Sequence, residues 1–130
     1  MSENKKILII EDDQFLREFY QELLQTEGFI VEAAADGQVG SEKVHSGGYD
    51  LILLDIMLPK KDGLQILRDL KMSPAAKSNG PIVILTNLGQ DTIIKQSFEL
   101  GAAGYLIKSA MNPDQVLTEI RSYLQKGNDS

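Results

Sequence analysis

None of the 130 residues is a cysteine, which excludes a disulfide, a thiolate metal site and a cysteine nucleophile and is compatible with a reducing cytosol. The chain also has no long apolar run. Met1-Ser2-Glu3-Asn4-Lys5-Lys6 leads only into Ile7-Leu8-Ile9-Ile10 before Glu11, too few apolar residues for a signal-peptide core or a membrane span. A soluble, cytoplasmic protein with no membrane partner is expected. Basic runs are missing too, and the net charge is -6. Direct nucleic-acid binding draws on clustered Lys and Arg to neutralise phosphates, so it is disfavoured and recognition by other proteins is expected. The single histidine, His45, lies just before Gly47-Gly48 and is expected to be a solvent-facing polar residue with no catalytic role.

With 42% hydrophobic residues, the chain has enough apolar material for one compact domain over residues 1–130, its core about 5–125 and its tail 126–130 frayed. Lys5 to Ile10 predicts a strand buried on both faces. Phe15, Phe19, Leu23 and Leu24 recur at helical spacing, so a helix runs from about Gln14 to Glu27, with Asp12 or Asp13 as its cap and Gly28 as its stop. A second strand follows over Phe29 to Ala35, and Asp36-Gly37 lead into a helix through Val44 that Gly40, Gly47 and Gly48 weaken. Tyr49 to Asp55 is a third strand, and Leu64, Leu67 and Leu70 begin a third helix. Ser73 to Gly80 reads as a long polar loop. Beyond it come a strand over Pro81 to Thr86, a helix over Asp91 to Leu100, a strand over Gly104 to Ile107 and a last helix opened by Asn112-Pro113. Five alternating strand and helix units predict a parallel sheet covered by helices on both faces, because each parallel connection needs a right-handed crossover.

Acidic residues end two of the apolar runs: Glu11-Asp12-Asp13 after Ile7–Ile10, and Asp55 after Leu51–Leu54. If the two strands are neighbours, these carboxylates meet at the carboxyl edge of the sheet, where open α/β folds hold ligands. Two unit negative charges roughly 4 Å apart repel by about 4 kcal/mol at an effective dielectric of about 20, so a bound metal or a proton is expected. Thr86 and Lys108 end two further strands, and Tyr105 lies within the last one.

Ile-Leu-Ile-Ile-Glu-Asp-Asp, Leu-Leu-Asp-Ile-Met-Leu-Pro with Asp62-Gly63, Ile-Leu-Thr-Asn and Gly-Tyr-Leu-Ile-Lys occur here in the order and spacing of one family. The chain resembles a response-regulator receiver domain of two-component signalling over about Lys5 to Leu124. The resemblance implies a flavodoxin-like (βα)5 fold, doubly wound, with a five-stranded parallel sheet of order 2-1-3-4-5, as in a chemotaxis member of the family. It implies that Asp55 accepts a phosphoryl group from a phosphohistidine of a sensor histidine kinase or histidine phosphotransfer protein, and that Mg²⁺ is the cofactor. Asp12 and Asp55 would ligate the ion directly, Glu11 through water and Met57 through its backbone carbonyl, a donor set of oxygens that suits Mg²⁺. Lys108 would supply counter-charge and Thr86 a hydroxyl to the phosphoryl group, with Tyr105 coupled to Thr86 as a switch. Asp13 is expected only to cap the first helix. The implied product is a signalling switch and not an enzyme acting on other substrates. Its output goes to a downstream protein or output domain through the face formed by the fourth helix, fifth strand and fifth helix, and a phosphorylation-dependent dimer is a further implied partner state.

Some positions depart from the family pattern. Ser109 stands where proline usually follows the lysine, and Asn87 where a small residue usually follows the threonine. Met57 and Leu88, with Asn87, are expected to modulate the rates. Because Met57 and Leu88 are bulky and apolar, slow self-dephosphorylation is expected, accelerated by Met57→Asn with Leu88→Glu. Two rival chemistries fit poorly. A flavin carrier would want a Ser/Thr/Gly-rich phosphate loop where three acids stand, and a haloacid-dehalogenase-type phosphatase would want an aspartate at Met57. A degenerate receiver that binds partners without phosphorylation is disfavoured because all the reactive positions are filled.

Overall fold

In the computed structural model, residues 4–87, 90–108 and 112–128 are described. Strands β1 (Lys6–Ile10), β2 (Ile30–Ala34), β3 (Leu51–Asp55), β4 (Ile82–Thr86) and β5 (Gly104–Ile107) alternate with helices α1 (Gln14–Thr26), α2 (Gly37–Ser46), α3 (Gly63–Met72), α4 (Asp91–Glu99) and α5 (Pro113–Asn128). All strand pairs are parallel, in the order β2-β1-β3-β4-β5. This is the expected doubly wound sheet.

Because side chains alternate across a strand, the continuous apolar runs supply two cores. Ile7, Ile9, Leu51, Leu53, Val83, Leu85 and Leu106 pack with Tyr20 and Leu24 of α1 and with Val116, Ile120 and Leu124 of α5. Leu8, Ile10, Ile52, Leu54 and Ile84 face Val44 of α2 and Ile66 and Leu67 of α3, with Ile93 of α4 packed alongside. Burial on both faces explains why β3 has no polar residue before Asp55.

Strand and helix bounds fall within about two residues of expectation, with three instructive differences. Helix α5 continues past its last apolar position, Leu124, through Asn128; Asp129 and Ser130 lie outside the described residues. A single Gly127 costs only about 1 kcal/mol relative to alanine, too little to end a helix already anchored by its buried stripe. The segment Ser73 to Gly80 is not a plain loop. It forms a parallel bridge at Gly47↔Lys77, and the Asn79 side chain donates to the Val44 carbonyl at 3.0 Å and accepts from the Tyr49 amide at 3.1 Å. His45 is half-buried in the last turn of α2, with Nδ1 2.8 Å from the Ser41 carbonyl, so it does not simply face solvent.

Candidate functional site

Register brings the site together. Ile10 pairs with Leu54, Asp55 with Leu85, and Thr86 with Ile107. Each strand therefore ends about one residue beyond its neighbour, and Glu11, Asp55, Thr86 and Lys108 emerge along one edge. Short polar links start the flanking helices. Asp13 caps α1 by accepting from the Leu16 amide at 3.0 Å, as expected, and Asp36 and Asp62 cap α2 and α3 in the same way. Two glycines allow close approach beneath the edge. A Cβ on Gly37 would lie 1.5 Å from the Lys61 carbonyl oxygen, and one on Gly63 would lie 2.7 Å from the Asp55 carbonyl oxygen.

Lys108 crosses from β5 to the acids. Its Nζ lies 2.8 Å from Asp55 Oδ2 and 2.9 Å from Glu11 Oε1. Backbone amides take the other two oxygens: Met57 N–H donates to Asp55 Oδ1 at 3.1 Å, and Asp13 N–H donates to Glu11 Oε2 at 3.0 Å. Glu11 is wholly buried and Asp55 almost so, whereas Asp12 is exposed. One ammonium thus faces two buried carboxylates. Burial pushes the Asp55 carboxyl up to about 7; the hydrogen bond from Lys108 opposes this, and the Glu11 charge reinforces it. Burial would lower the Lys108 ammonium, but its bonds and charges with both acids outweigh that and raise it. The phenol of Tyr20, buried beneath the site, is raised first by burial and then by the Glu11 charge.

One oxygen from each of Glu11, Asp12 and Asp55 lies within 4.8 Å of the others. Glu11 Oε1 is buried and charge-paired with Lys108, yet it receives no directed hydrogen bond. An all-oxygen set of three carboxylates facing a single ammonium carries excess negative charge and fits a hard cation such as Mg²⁺.

Thr86 is buried at the end of β4, with its hydroxyl 2.5 Å from Gln90 Oε1. Tyr105 is 41% exposed and packs edge-to-face on Phe98 at 6.3 Å between centroids, so it faces outward. Met57 projects at 59% exposure, and Asn87 is also exposed. Leu88 and the Lys108–Ser109 peptide lie outside the described residues. Two contributors escaped the sequence reading. Arg17 donates from Nη1 to the Glu11 carbonyl at 3.0 Å and the Asp12 carbonyl at 3.3 Å, holding the acidic turn; the basic residue one turn into α1 was its only signal. Gln90 was marked only by its place just before a helix, where Ser, Thr, Asp or Asn is usual.

Among the described residues no helix is long and apolar enough to cross a membrane. The family model for the response regulator receiver domain matches residues 7–121. The chain is 38% identical over 116 residues to the transcriptional regulatory protein DltR of Streptococcus agalactiae, covering 89% of this chain and 50% of that protein. It is 38% identical over 122 residues to the transcriptional regulatory protein CusR of Escherichia coli, covering 94% and 52%. It therefore spans about half the length of these curated relatives. Among solved structures, a CheY-like receiver domain protein of Methanospirillum hungatei superposes with a TM-score of 0.84 at 27% identity, covering 97% of this chain and 98% of that one. A two-component response regulator from Clostridium difficile superposes at 0.82 and 26% identity, covering 96% and 99%. Matched in sequence along most of its length and in fold along nearly all of it, the chain belongs to the response-regulator receiver family of two-component signalling.

Proposed function

We propose that Asp55 is the phosphoacceptor of this receiver domain and that its phosphorylation switches protein binding at the α4-β5-α5 face. The observation that supports this most is the placement of Asp55: buried, bonded to Lys108 at 2.8 Å and within the Glu11-Asp12 cluster. An Asp55 oxygen attacks the phosphorus of a phosphohistidine on a sensor kinase or phosphotransfer protein. The P–N bond breaks, its electron pair stays on the imidazole, which takes up a proton, and an acyl phosphate remains on Asp55. A carboxylate suffices as nucleophile when the incoming charge is neutralised.

Asp12 and Asp55 would hold Mg²⁺ directly, Glu11 through water, and the Met57 carbonyl would complete the protein's share. When bound, the ion supplies positive charge to the phosphoryl oxygens. Lys108 compensates the acids before transfer and a phosphoryl oxygen after it. The Thr86 hydroxyl then turns to the phosphoryl group, and Tyr105 leaves Phe98 for the space that Thr86 vacates, a population shift driven by these new contacts. The recipient is a downstream protein or an output domain, in keeping with relatives named as transcriptional regulators, and dimerisation through the same face is one form of that output. The setting is cytoplasmic. The exposed side chain of Met57, together with Asn87 and Leu88, sets access of water and phosphodonor, and Met57→Asn with Leu88→Glu shortens the acyl-phosphate lifetime.

The test is labelling by a small phosphodonor such as acetyl phosphate. Parent protein is expected to label only with Mg²⁺, and Asp55→Asn not at all. Equal labelling of both would place the acceptor elsewhere, and no labelling of the parent by either a small donor or a phosphohistidine donor would identify a phosphorylation-independent binding domain.

A further inference from the structure

We propose that Gln90 is a latch that holds the Thr86 hydroxyl in its resting orientation and so sets how readily the domain switches, a proposal that rests on the phosphoacceptor reading above. Gln90 precedes α4 at the N-cap position, yet its side chain makes no capping bond to that helix. It points back toward β4 instead. Its Oε1 lies 2.5 Å from Thr86 Oγ1 and accepts the Asn87 amide at 3.1 Å.

The amide fixes the direction of both bonds. A backbone N–H can only donate, so the atom it meets is the Gln90 oxygen and not its NH₂ group. An amide oxygen can only accept, so the Thr86 hydroxyl must donate to it. A threonine hydroxyl has one proton. While it is given to Gln90 it cannot be given to a phosphoryl oxygen on Asp55, and among the described residues its one other acceptor is the Asn87 carbonyl at 3.3 Å, on the same turn. Switching therefore requires the Thr86–Gln90 bond to break, and Gln90 contributes to the resting state alone. A contact present in only one of two states shifts their ratio by its full net strength, about fivefold for an ordinary protein hydrogen bond.

Cost falls on the helix. Helices α1, α2 and α3 each begin with an aspartate accepting a first-turn amide, whereas Gln90 uses its acceptor on Thr86 and leaves the start of α4 without a side-chain cap. Release of Thr86 removes one of the two bonds that hold that oxygen away from the helix, the other coming from the Asn87 amide.

The experiment is a double-mutant cycle read as affinity for beryllofluoride, an acyl-phosphate mimic, in the presence of Mg²⁺, with Gln90→Met, Thr86→Ala and the double variant. Gln90→Met is expected to raise affinity about fivefold in the parent and to leave Thr86→Ala unchanged, because without the hydroxyl there is nothing to release. Gln90→Ala serves as a second variant lacking the acceptor and is expected to show the same coupling. No gain with either variant, or the same gain in the Thr86→Ala background, overturns the latch while the phosphoacceptor reading stands. A parent that does not bind beryllofluoride, or an Asp55→Asn control that binds it equally, overturns that reading and the latch with it.

Discussion

At the ends of β1 and β3 each buried site carboxylate has one oxygen held by a backbone amide, while at the ends of β4 and β5 the site residues are held mainly by other side chains. Asp55 and Glu11 accept from the amides of Met57 and Asp13, and the helices that follow are capped by Asp13 and Asp62. Thr86, by contrast, donates to the side chain of Gln90, Tyr105 leans on Phe98, and Lys108 reaches across the sheet to both acids. A bond to backbone persists unless the chain itself moves. A bond between side chains is exchanged by a rotamer change, which is far faster. One half of the edge thus keeps a single geometry for the proposed acceptor carboxylate, and the other half has the means to hold two.

Lysine 108 joins the halves, so its removal should have the largest effect on stability. Lys108→Met leaves Glu11 and Asp55 buried without their counter-charge and is expected to cost about 3 kcal/mol in urea denaturation at pH 8. The loss should shrink at pH 5, where Asp55, lifted to about 7 by burial, carries a proton instead. A pH-independent loss would mean that packing of the lysine stem matters more than its charge.

Gly37→Ala probes the fixed half alone. Its new Cβ would meet the Lys61 carbonyl of the β3-α3 loop at 1.5 Å, and backbone is not a flexible neighbour, so about 2 kcal/mol should be lost. The Thr86–Gln90 coupling should persist in this variant, and its disappearance would show that the two halves are not separable.

Asp55 itself should show the reverse sign. Its folded-state pKa is raised from 3.8 to about 7, so its contribution to stability is full below about pH 4 and is lost as pH rises toward 7. Asp55→Asn should therefore be more stable than the parent by about 1 kcal/mol at pH 8 in chelator. Mg²⁺ should raise the melting temperature of the parent and leave Asp12→Ala and Asp55→Asn nearly unchanged. An equal Mg²⁺ response in all three would move the metal away from these carboxylates.

The smallest change is expected far from the switch. Glu32 on β2 accepts from the Tyr49 hydroxyl at 2.8 Å and pairs with Lys6 and Lys43, and these partners, Tyr49 first, hold its carboxyl down at about 2. Its contribution is present above about pH 4.5 and lost as pH falls through 2. Its side chain is 35% exposed, so solvent screening leaves Glu32→Gln a cost of about 0.5 kcal/mol at pH 7 and none near pH 2. A larger loss would make this edge part of the scaffold on which the fixed half depends.

Much of this was legible along the chain because its causes are local. Apolar runs ending in acids marked β1 and β3, and helical spacing with Asp13 before it marked α1. What stayed hidden depends on partners distant in sequence or on turns outside regular structure. The Ser73–Gly80 segment looks like a free polar loop until the α2-β3 turn lies against it. Gln90 looks like an ordinary polar residue until the turn after β4 brings it back to Thr86.

Residue types and their periodicity predicted five strands and five helices with polar residues at the ends of four apolar runs, and the order and spacing of the motifs carried the resemblance to receiver domains. Local hydrogen bonding and burial preferences are written residue by residue, which is why they can be read that way. Only the tertiary structure decided that one lysine serves two buried carboxylates 53 and 97 positions away, that Asp55 rises to about 7, and that the Thr86 proton already has an acceptor. Those outcomes depend on distance and desolvation, and both arise only when β1, β3, β4 and β5 lie side by side.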